Sequence, residues 1–68
     1  MPGQVVRFKG SDANPDAGDV EIVGEVLNEK DGNITVKVHH LIEDGKKNEA
    51  RAGAIYGVES KKAKQVKK

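Results

Sequence analysis

Two runs of alternating β-branched residues, joined through an Asp-Gly turn, constrain this 68-residue chain more than any other feature. From Asp19 onward, Val20, Ile22, Gly24 and Val26 fall on one side, and Glu21, Val23, Glu25 and Leu27 on the other. After the segment 28–33, Ile34, Val36, Val38, His40 and Ile42 alternate with Thr35, Lys37, His39 and Leu41. A side-chain period of two, rich in Val and Ile, is that of half-buried strand. Asp31-Gly32 supplies the positive φ that a tight hairpin needs. Asp44-Gly45 repeats the signal and predicts a second hairpin into 46–52, whose polar pattern suits an edge strand.

Gln4–Lys9 reads as an opening strand, with Val6 and Phe8 on one face, and Ala54–Glu59 as a closing one. Gly53 and Gly57 fit a bulge or a tight corner there. Between the first two strands, 10–18 is dense in Gly, Asp, Asn and Pro and reads as a loop. No apolar period of 3.6 runs long enough for a core helix. The fold class is therefore all-β. A five-stranded antiparallel sheet of this size hides its edges and its one apolar face by rolling into an SH3-like barrel. An OB-like barrel is the alternative, though it usually takes more residues. The barrel is expected over residues 1–59, with a flexible basic tail over 60–68.

Composition limits the core and the setting. Phe8 and Tyr56 are the only aromatics and there is no cysteine, so the interior rests on Val, Ile and Leu, without disulfides or thiolate metal sites. A core this thin leaves a stability of only a few kcal/mol. No apolar run approaches the roughly 18 residues of a membrane span, and the start Met1-Pro2-Gly3-Gln4 does not read as a signal peptide. The expectation is a cytoplasmic protein. The net charge of +1 conceals an asymmetry. Residues 1–59 hold seven basic side chains against eleven acidic ones, a net of −4, whereas 60–68 hold five lysines and no acid.

The segments Gly3-Gln4-Val5-Val6-Arg7-Phe8 and Gly24-Glu25-Val26 match the outline of SH3-like barrels of the Tudor and KOW type. The closing run Tyr56-Gly57-Val58-Glu59-Ser60-Lys61-Lys62 resembles the ending of the small hypervirulence-associated Tudor-like domains, which are of similar length. That resemblance implies a binding fold and brings no ligand or catalytic residue with it. The chain departs from the pattern in lacking a tryptophan after the first strand and in its longer loop at 10–18.

Several constellations bear on chemistry. Asp12, Asn14 and Asp16 place oxygen ligands at alternate positions, as calcium loops do. Ala17 stands where such loops need Gly, and Val23 where they need a bidentate acid, so capping of local turns accounts for the loop better. His39 and His40 are adjacent on a strand and should point to opposite faces, His40 inward, which argues against a shared metal ion. No nucleophile motif or phosphate-binding glycine loop is present, and no catalysis, cofactor or metal is expected. Val23, Leu27 and Leu41 fall opposite the main apolar set and form a candidate partner surface, together with a rim around Tyr56. The expected function is a non-catalytic module that binds a protein partner or itself. The alternative is an accessory nucleic-acid or ribosome-associated protein whose Lys61, Lys62, Lys64, Lys67 and Lys68 contact phosphate. Against that alternative, the body is acidic and short of rings on which bases stack.

If self-association supplements the thin core, the thermal midpoint should rise with protein concentration. A midpoint constant over a hundredfold dilution series would speak against it.

Overall fold

The longest ladder of the structure, a computed structural model describing residues 3–66, joins the two alternating runs. These are β2, Glu21–Lys30, and β3, Asn33–Glu43, which pair antiparallel around the two-residue turn Asp31-Gly32. Both turn residues have positive φ, 53° and 80°, the geometry whose twist matches that of the flanking strands. Asp44 and Gly45 repeat it, at 53° and 77°, and turn the chain into β4, Lys46–Asn48. The remaining strands are β1, Val5–Lys9, β5, Ile55–Glu59, and β6, Lys64–Gln65. The strand order is β4-β3-β2-β1-β6, with β5 paired to β3 alongside its other half.

All neighbours are antiparallel, so the all-β expectation holds. Among the described residues six strands form rather than five, and the sheet does not close on itself. The sixth comes from the lysine run. Ser60–Lys62 forms a 3₁₀ turn, and Lys64 and Gln65 then pair with Arg7 and Val6 of β1. Ala63 packs against the core and the Val66 amide donates to the Val5 carbonyl at 2.9 Å. The run therefore lies on the sheet as far as the description extends. Lys67 and Lys68 lie outside the described residues.

Two irregularities decide which side chains face inward. Val23 pairs with His40 and Gly24 with Val38, so His39 is an extra residue on β3. Val26 pairs with Val36 and Asn28 with Thr35, so Leu27 is an extra residue on β2. Each bulge reverses the inward–outward alternation beyond it. The core is Val6, Phe8, Ile22, Val26, Ile34, Val36, Val38 and Val58, with Leu41 and Tyr56 packed against it. Gly57, in contrast, sits in an unbroken β3–β5 register opposite Thr35 and is neither bulge nor corner. Within 10–18, Gly10–Ala13 forms one helical turn and Pro15–Ala17 a 3₁₀ turn. Asn14 caps the latter by accepting the Asp16 amide at 3.0 Å, as the capping reading of this loop expects.

Gly24 is the glycine that approaches its neighbours in the sheet most closely. A Cβ there would overlap the Lys37 carbonyl oxygen and come within 2.6 Å of Val36 Cγ1. Gly24→Ala should therefore destabilise by about 3 kcal/mol, the upper range of overpacking effects. Gly57→Ala, whose Cβ would meet nothing nearer than 4.0 Å, should stay within about 0.5 kcal/mol. Urea unfolding of both variants checks the contrast; equal effects would refute the close approach.

Candidate functional site

The expected surface of Val23, Leu27 and Leu41 is not one surface, and the bulges are the reason. Beyond the His39 bulge, Leu41 turns to the inner face beside Ile22 and packs on the core. Val23 stays on the outer side, between Arg7 and His40 in the ladder, and is itself buried. Leu27, at its own bulge, is 43% exposed and stands apart from both.

Leu41 is instead grouped with Tyr56. The two share a concavity of about 290 Å³ whose apolar part also includes Val20, Ile22 and Ala50. It lies on the inner face, where β4 and β5 separate along β3. Between these strands the chain bulges outward through 49–52 and returns to pair Gly53 and Ala54 with Val38. The loop carrying Asn14 and Asp16 forms the opposite wall. Asp16, Glu43, Asn48 and Arg51 give the groove a polar rim with two carboxylates and one guanidinium. An apolar floor with a few polar groups at the lip suits a side chain that carries both a hydrocarbon part and a polar end. Sequence reasoning found Tyr56 and Leu41 but missed Ile22, Asn48 and Arg51, since nothing local in the chain signals the shared wall.

The histidines also depart from expectation. Because His39 is the bulged residue, the two imidazoles do not diverge. Their Nδ1 atoms are 2.8 Å apart, and the rings meet edge to face with centroids 5.1 Å apart. His40 pairs on the outer face with Val23 instead of pointing into the core. One Nδ1 must donate and the other accept, so the contact needs at least one neutral ring. Burial pushes the His40 pKa below its ordinary value, with Lys47 and His39 adding to the effect and Glu49 opposing it. Among the described residues, no group of three or more His, Asp or Glu side chains is placed to hold a metal ion.

Of the lysines, Lys61 pairs with Glu59 at 3.4 Å in an exposed contact. Lys62 and Lys64 instead border a second concavity with Arg7 and Lys9. No described helix is long and apolar enough to cross a membrane. No protein-family model matches the chain, and comparison with curated proteins and with solved structures gave no match.

The histidine pair predicts a pH dependence with a definite sign. With its folded pKa lowered, His40 binds a proton less readily in the folded chain than in the unfolded one. Stability should therefore fall as the pH drops through the unfolded-state value of about 6.5 towards the lower folded one. His40→Gln should flatten the curve of unfolding free energy as the pH falls through about 6.5. An unchanged slope in that variant would remove His40 as the cause.

Proposed function

We propose that this chain is a non-catalytic interaction module on an SH3-like barrel, binding a segment of a protein partner in the groove at Tyr56 and Leu41. Three features support the barrel reading. β1, β2 and β3 form a meander, a 3₁₀ turn follows β5, and the last strand returns to β1. The observation that carries the function is the groove itself. It has an apolar floor of Ile22, Leu41 and Tyr56 in a chain with very little such surface to spare, and a rim that is acidic by one charge. The segment that fits is extended, with an apolar side chain on the floor and a Lys or Arg beside Asp16 and Glu43. Tyr56 offers its ring to the hydrocarbon and its hydroxyl to the polar end.

An array of random 12-residue peptides probed with the full chain tests this reading. Selected peptides should share an apolar residue near a basic one, and should shift the amide resonances of Ile22, Leu41, Asn48 and Tyr56. Tyr56→Ala should weaken binding about tenfold or more, the range of an interface anchor. Because Tyr56 also touches the core, Arg51→Glu on the exposed rim provides a second variant. It should tighten binding of basic peptides several-fold. Shifts clustered away from the groove, or binding untouched by both variants, would overturn the proposal.

A further inference from the structure

The second concavity, on the opposite edge of the sheet, concentrates positive charge in a chain whose other surfaces are mostly acidic. Four cations border it, Arg7 and Lys9 from β1, Lys62 from the 3₁₀ turn and Lys64 from β6, with Asp12 and Glu21 as the only carboxylates. A third hollow beside it repeats Arg7 and Lys64 and adds Gln65 and Val66. The cations are thus gathered at one end of the β1–β6 pair, and the polar Gln65 and apolar Val66 continue the surface beyond them.

The register within this edge sets like charges side by side. Arg7 and Lys64 are direct cross-strand partners, and like charges directly opposite repel. Glu21, 3.8 Å from Arg7 and opposite Lys9 in the ladder, offsets part of this charge, and because these side chains are exposed, water and salt screen attraction and repulsion alike. Ala63 packs against the core and the Val66 amide bonds to Val5, so the run is held on the sheet on either side of the exposed Lys64 and Gln65.

We propose that the β1–β6 edge is a sequence-blind binding surface for the phosphate backbone of double-stranded nucleic acid. A duplex carries one negative charge per roughly 1.7 Å of axis, the charge density that would relieve the Arg7–Lys64 repulsion. Cations held on strands need less ordering on binding than cations on a free tail. Phe8, the ring nearest the concavity, is 4% exposed and cannot stack on a splayed base, which disfavours a single strand as the partner. This surface is distinct from the groove at Tyr56, and the two can be tested apart.

The experiment is fluorescence anisotropy of the full chain with a labelled 24-base-pair DNA duplex in 50 and 200 mM KCl. Four phosphate contacts predict a loss of affinity on the order of 100-fold between the two salts. Lys62→Glu, which lies outside every strand ladder, should lower affinity at least about fivefold and flatten the salt slope by about one. Lys9→Gln with Lys64→Gln removes two cations and should flatten the slope by about two, the Lys64 change also relieving the repulsion with Arg7 in the free protein. Lys46→Gln with Lys47→Gln on β4 should leave duplex binding unchanged. Three outcomes would each overturn the proposal. One is no salt-dependent binding at 50 mM. Another is binding indifferent to the edge variants, which would move the contact elsewhere. The last is capture by phosphatidylserine vesicles but not by the duplex.

Discussion

The β2–β3 ladder is the constraint from which the rest of the structure follows. It spans most of both strands, and every other strand except β6 pairs with one of its members. The two strands come close at Gly24, where there is no room for a Cβ against Lys37 and Val36. That close approach keeps Val26, Val36 and Val38 together in an interior with no tryptophan and a single phenylalanine. A chain this short has few apolar side chains to bury, so the distance between backbones becomes part of the packing.

The bulge at His39 then divides β3 into two working halves. On the turn side, Ile34, Val36 and Val38 belong wholly to the core and pair with β5 or its approach. On the far side Leu41 faces a groove instead of a closed interior, because β4 is short and the chain leaves it at Asn48. The same extra residue turns two histidines towards each other on the outer face. One residue of irregularity thus places both the floor of the groove and the histidine pair.

Much of this was legible in the sequence. The two Asp-Gly turns, the period-two runs and the weakness of the β4 segment all carry local signals, and each appears in the structure. The bulges were not legible, because an extra residue in a ladder is defined by its partner strand, which a one-dimensional pattern does not contain. Reading alternation straight through His39 put Leu41 on the wrong face and His40 on the inner one. The strand at Lys64–Gln65 was obscured for a different reason. Five lysines in 60–68 read as a solvated tail, while what holds Lys64–Gln65 is backbone pairing with β1 and the packing of Ala63, neither of which a lysine-rich composition signals. Of the groove, Tyr56 and Leu41 were singled out, but its walls come from segments far apart in the chain.

The two bulges also say something about how this hairpin can vary in length. The extra residues, Leu27 and His39, sit on opposite strands, and the pairing offset introduced by one is cancelled by the other. The turn and the far ends of the strands therefore share one frame, and only the stretch between the bulges is displaced from it. A deletion inside a strand ordinarily throws every later side chain to the wrong face. At positions 27 and 39 it would not, since the residues on either side already alternate correctly once the extra one is gone. What a lineage of such hairpins must preserve is phase. Strand length is free to change at two specific places, where the cost is lost curvature and not a lost core.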